Sequence, residues 1–70
     1  MSTTTYSVTG MTCQHCVNSV TEEIAQLPGV RKVDVFLVSG GASSVQVTSD
    51  AELDRGDVQT AVEEAGYELV

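Results

Sequence analysis

Tryptophan is absent from this chain of 70 residues, and Phe36, Tyr6 and Tyr67 are its only aromatic residues. A core must therefore be assembled from Val, Leu, Ile and Ala, which suits thin layers of strand and helix. Basic residues are nearly as scarce. Three Lys or Arg stand against ten Asp or Glu, a formal charge of −7, and so acidic a chain repels phosphate backbones and anionic membranes. This argues against nucleic acid as a partner and favours a partner with a basic face. Long apolar runs are missing too. No segment approaches the ~20 apolar residues of a membrane span, and Met1–Tyr6 has neither the basic start nor the apolar stretch of a secretory signal. The expectation is one small domain over residues 1–70, soluble and cytoplasmic, with no stable membrane association.

What is present divides into short periodic segments. Thr3 to Thr9 reads as a strand, with Tyr6 and Val8 alternating against Thr5, Ser7 and Thr9, and Gly10 breaks it. Val17, Val20, Ile24 and Leu27 recur at helical spacing, and Pro28-Gly29 ends that helix. Val30 to Val38 alternates again, placing Val33, Val35 and Leu37 on the core face and Asp34, Phe36 and Val38 on the open one. Exposed apolar residues at Phe36 and Val38 are of the ordinary scattered kind. Ser39-Gly40-Gly41-Ala42 forms a hairpin connection whose turn type is open. Ser44 to Thr48 returns with Val45 and Val47 inward. A second helix opens at Asp54, with Asp57 as a short capping-box residue and Leu53 and Val58 as a hydrophobic staple. Its inner stripe is Val58, Ala61, Val62 and Ala65, Gly66 is its left-handed stop, and Tyr67 to Val70 is the last strand. Gly56 in its first turn, at a cost of up to ~1 kcal/mol, and the small Thr48 suggest modest stability. The order is that of an α+β, ferredoxin-like βαββαβ sandwich, a four-stranded antiparallel sheet with two helices on one face.

The only two cysteines lie within Gly10-Met11-Thr12-Cys13-Gln14-His15-Cys16, beside the only histidine. The strand break puts Cys13 in a loop and Cys16 at or near the first helical turn. Unpaired backbone N–H groups and the positive end of the helix dipole favour thiolate there. In a reducing compartment such a pair binds metal or performs redox chemistry more readily than it staples a fold. Thiolates select soft ions, including Cu(I), zinc and iron–sulfur clusters. Structural zinc and iron–sulfur sites want about four ligands, which the chain cannot supply alone, whereas Cu(I) accepts two sulfurs. Met11 and His15 are the available third ligands. Met11 is otherwise a core residue that pins the loop, and His15 otherwise a solvent-facing one that tunes local charge. Dithiol redox is the competing chemistry. Against it, no Trp precedes Cys13, no Pro separates the cysteines, and the one Pro, Pro28, ends a helix.

The motif Gly10-Met11-Thr12-Cys13-Gln14-His15-Cys16 resembles the signature of heavy-metal-associated domains. Leu27-Pro28-Gly29-Val30 and Ala65-Gly66-Tyr67 are similar to that family's first helix end and final turn. His15 and Tyr67 resemble the bacterial copper chaperones of the CopZ type most closely. The resemblance implies that Cys13 and Cys16 bind Cu(I), with Tyr67 near the site, and that the chain is not an enzyme. It implies transfer of copper to the metal-binding domain of a copper-transporting P-type ATPase through shared-cysteine intermediates. The metal-free chain is expected to be monomeric, with a copper-bridged dimer as an open possibility. Alternatives carried forward are a domain excised from such an ATPase, a dithiol redox or thiol-sensing protein, and zinc storage or delivery.

Overall fold

Small β-branched residues at alternate positions build the sheet, and two short apolar stripes build the helices that cover it. The computed structural model describes all 70 residues. Its elements are β1 (Ser2–Thr9), α1 (Gln14–Ala25), β2 (Val30–Phe36), β3 (Ser43–Ser49), α2 (Arg55–Glu64) and β4 (Glu68–Leu69). The strands pair antiparallel in the order β2-β3-β1-β4. This is the expected ferredoxin-like sandwich. No helix is long and apolar enough to cross a membrane.

Register explains the core. Tyr6 and Val35 lie on either side of Val45, and Val33 lies opposite Val47, so these side chains share one face of the sheet. Tyr6, Val8, Val45, Val47 and Leu69 from the sheet are buried with Val20 and Ile24 of α1 and Val58, Ala61 and Val62 of α2. Leu53 packs against the same cluster beside Val58, as a staple requires. Buried Ser43 and Ser49 close the two ends of β3, and every buried polar side-chain atom has a partner.

Several boundaries differ from the sequence reading, each for a local reason. β2 ends at Phe36, not Val38. The Val38 N–H donates to Ser43 Oγ at 2.8 Å, and that hydroxyl donates to the Val38 carbonyl at 3.3 Å, so a side chain takes the place of the next backbone pair. Leu37 is consequently exposed and does not join Val33 and Val35 in the core. Gly41 N–H then bonds the Val38 carbonyl at 3.2 Å, with Gly40 at φ 78°, the pattern of a type II turn. At α2, Asp54 caps by accepting from Gly56 N–H at 2.8 Å, and Asp57 makes no reciprocal side-chain bond. Gly56 has its own reason here, because a Cβ would stand 3.2 Å from Asp54 Oδ1. The last strand shortens to Glu68–Leu69 because Tyr67 is consumed by the end of α2. Gly66 N–H reaches the Glu63 carbonyl at 2.9 Å and Tyr67 N–H reaches the Val62 carbonyl at 3.1 Å. With Gly66 at φ 93° this is a Schellman ending, the left-handed stop expected of that glycine.

Ile24, fully buried between helix and sheet, should lose roughly 2–5 kcal/mol of stability on substitution by Ala. Asp54→Ala should lose about 1 kcal/mol through the missing cap. Urea unfolding followed by circular dichroism checks both: the midpoint falls in that order while the slope stays that of the natural chain.

Candidate metal centre

Gly10 takes φ 96°, a conformation that a residue with a Cβ adopts only under strain, and this turns the chain out of β1. Met11 folds inward at once and is fully buried in the core cluster. Thr12 and Cys13 are left exposed on the other side of that anchor. Cys13 is the N-cap of α1, extended at φ −152° and ψ 175°, and its carbonyl receives Cys16 N–H at 3.1 Å and Val17 N–H at 3.3 Å. Its side chain makes no cap hydrogen bond, so the sulfur stays available. Cys16 follows one turn later, and the two Sγ atoms lie 3.6 Å apart. That is contact between two free thiols, far from the ~2.05 Å of a disulfide.

Cys16 is lowered to about 6, chiefly by the backbone of Thr12, then by the Tyr67 hydroxyl and the Cys13 backbone, with a smaller contribution from the Cys13 thiol. Burial of Cys16 against the core opposes these effects. The Tyr67 hydroxyl favours the thiolate without closing a direct hydrogen bond of good geometry, and its own acidity is weakened by Cys16, by burial and by the charge of both cysteines. The Schellman ending of α2 delivers Tyr67 to this place, where its ring lies so close that a Cβ on Gly10 would meet Cδ1 at 3.3 Å. Gly10 thus serves twice, for its dihedral and for its lack of a side chain.

The structure brings Cys13, Cys16 and Tyr67 together, and turns the other two candidates to different uses. Met11 is a core residue. His15 is exposed on the first turn of α1, and no three His, Cys, Asp or Glu side chains gather anywhere in the chain. Thr12 was not singled out by sequence reasoning. Its hydroxyl lies 3.9 Å from Cys16 Sγ, and its larger influence comes from its backbone, which no residue-type signal reveals. At metal–sulfur bonds of the zinc–thiolate length, roughly 2.3 Å, a straight sulfur–metal–sulfur unit spans ~4.6 Å. The observed 3.6 Å suits a bent unit open to an outside ligand, or a straight one after the loop opens by about 1 Å.

Residues 5–68 match the heavy-metal-associated domain family. The copper chaperone CopZ of Bacillus subtilis is 39% identical over 66 residues, covering 93% of this chain and 91% of its own length. Copper-transporting ATPase 1 of Rhizobium meliloti is 43% identical over 93% of this chain, which amounts to 8% of that protein. Among solved structures, a CopZ metallochaperone superposes with a TM-score of 0.85 at 31% identity, covering 99% of this chain and all of that one. Sequence, fold and the placement of the two cysteines converge: the chain belongs to the heavy-metal-associated domain family.

Proposed function

We propose that this protein is a cytoplasmic copper chaperone that holds Cu(I) between Cys13 and Cys16 and gives it to the metal-binding domain of a copper-transporting P-type ATPase. The observation that carries the reading is the pair of free sulfurs 3.6 Å apart at an exposed helix start with no third protein ligand. Two thiolates satisfy a soft monovalent ion and leave its remaining positions open. Met11 anchors the loop, Tyr67 flanks the sulfurs, and His15 faces solvent beside them. The names of the relatives, copper chaperones and copper-transporting ATPases, support copper as the cargo.

Transfer on this reading is ligand exchange. A thiolate of the acceptor forms a sulfur–copper bond, one bond to Cys13 or Cys16 breaks, and a second exchange completes the handover. Copper stays Cu(I) throughout, so no electron is needed, and nothing is turned over as in an enzyme. The exchange depends on thiolate being present near neutral pH, which the lowered Cys16 supplies. A second reading, in which the chain is the metal-binding part of a copper ATPase, is favoured by its identity to such a segment. Immunodetection in the source cell separates the two, since a free carrier gives a band of the chain's own size.

Titration with Cu(I) against a competing chelator should give one equivalent bound by the natural chain, and at least a tenfold weaker site, about 1.4 kcal/mol, in both Cys13→Ser and Cys16→Ser. Natural affinity in either variant sinks the paired site. The chain should also show no disulfide reductase turnover, which separates it from a dithiol redox protein.

Alkylation by iodoacetamide, mapped by peptide mass, should label Cys16 at a constant rate above its pKa. The rate then falls roughly tenfold for each pH unit below about 6. The same depressed pKa stabilises the fold fully above the unfolded thiol pKa, an advantage lost as pH falls through about 6. Tyr67→Phe should move the half-point of labelling upward.

A further inference from the structure

β2 is an outer strand of the sheet, and no element pairs with its far side. An open edge presents backbone donors and acceptors that a further strand can satisfy. The register shows which of them are free. Val70 N–H bonds the Ser7 carbonyl at 2.9 Å, so the peptide groups of Ser7 face β4 and those of its neighbours Tyr6 and Val8 face β3. Tyr6 and Val8 lie opposite Val45 and Ser43, which leaves Ser44 and Gln46 to bond Phe36 and Asp34 of β2. The peptide groups of Val33 and Val35 therefore point outward, away from the sheet.

The side chains on either side of Val33 carry opposite charges. Lys32 and Asp34 lie opposite Thr48 and Gln46, on the face of the sheet that the helices leave uncovered, and both side chains are exposed. Consider β2 pairing antiparallel with β2 of a second copy, about a two-fold axis at Val33. The two Val33 residues then exchange both of their outward hydrogen bonds. Lys32 falls opposite Asp34 of the second copy, and Asp34 falls opposite its Lys32. These are the non-hydrogen-bonded positions, where Cα atoms stand only about 4.5 Å apart and side chains meet most closely. Opposite charges placed so are stabilising, and like charges destabilising. No neighbouring register shares this property. An axis at Lys32 sets lysine against lysine, an axis at Asp34 sets aspartate against aspartate, and an axis at Val35 sets Asp34 against Phe36.

The charge of the whole molecule favours the same edge. Arg31 and Lys32 stand against a single acidic residue on β2, which makes it the only element with net positive charge in a chain of −7. Two copies meet least repulsion there. The opposite edge, made by β4 and the part of β1 beyond it, has Glu68 as its only charge and offers no such pairing. We infer that two metal-free copies of this chain associate through β2, centred on Val33, into one continuous sheet. The contact uses the same strand of both copies, so it closes at a dimer. A bulge between Val30 and Lys32 ends the flat stretch and keeps the contact short.

This dimer goes beyond the chaperone reading and needs no metal. β1 and β2 both run antiparallel to β3 and hence parallel to each other, and β1 leads into the sulfur loop. The two-fold axis therefore sends the two sulfur loops to opposite ends of the dimer. They cannot share one copper ion, and both stay open to an incoming ligand.

The test uses the natural chain, metal-free and with both cysteines reduced. So short a contact falls below the ~1,200 Å² of a stable interface, and association should become visible only near about 1 mM. There the ¹⁵N amide signals of Arg31–Val35 should move with concentration while those of Gly10–Cys16 stay in place, and sedimentation should show a dimer. Lys32→Glu and Asp34→Lys each set like charges opposite one another and should each weaken self-association about tenfold. Their equimolar mixture should associate as the natural chain does, because the two changes together rebuild both opposite-charge pairs. Dispersed amide spectra check that each variant folds. A natural chain that stays monomeric at this concentration, amide shifts that avoid β2, either variant associating at natural strength, or a mixture no more associated than its parts overturns the inference. Copper enters no arm, so none of these outcomes bears on the metal centre.

Discussion

Burial of Met11 is the constraint on which the candidate metal centre depends. The chain must leave a sheet that is buried on one face, cross to a helix, and expose two sulfurs on the way, all within a few residues. A loop with no inward anchor would let the cysteines drift, because each unfixed residue retains about 1–2 kcal/mol of backbone entropy. Met11 supplies the anchor by entering the core where β1 ends, and a flexible thioether fills an irregular gap without demanding a partner of its own. The positive φ of Gly10 directs Met11 inward, and Cys13 then starts α1 at a fixed distance from that point.

The two helices begin in opposite ways, and the contrast exposes what the site costs. Asp54 spends its carboxylate on the first free N–H of α2. Cys13 occupies the same position on α1 and spends nothing, forgoing about 1 kcal/mol of capping so that its sulfur faces solvent. No acidic side chain occupies the first turn of α1. Backbone groups of Thr12 and Cys13, just before the helix, favour the Cys16 thiolate instead. Helix α1 is held instead by Val20 and Ile24 against the sheet, in keeping with the general finding that tertiary packing outweighs propensity. Stability is thus provided at one end of the helix and chemistry at the other.

The sequence made the layers legible because their signals are periodic. Val33, Val35, Val45 and Val47 alternate, Val58, Ala61 and Val62 recur at helical spacing, and all face the sandwich interior in the structure. The cysteine pair was legible because its spacing alone brings the sulfurs within reach across one helical turn. What could not be read were places where one specific hydrogen bond overrides a pattern. Leu37 continues the alternation of β2 perfectly and is exposed, because Ser43 diverts the backbone one residue later. Tyr67 has the residue type of a strand and belongs to the end of a helix, because Gly66 completes a Schellman motif around it. Thr12 acts on Cys16 mainly through its backbone, which every residue possesses and only geometry reveals.

These features place an exposed rim on a buried floor. Met11, Val8 and Val20 are fully buried, whereas Cys13 is exposed and Cys16 is only half-buried against them. Spreading the sulfurs by the ~1 Å that separates a bent from a straight two-sulfur unit disturbs a surface loop and leaves the core contacts in place. Local opening of this kind costs far less than global unfolding. A site buried on all sides would hold its ion behind the full stability of the domain, and an unanchored loop would not define a site at all. The carrier proposed above calls for the intermediate arrangement, and here one sulfur rests on the core while the other faces solvent.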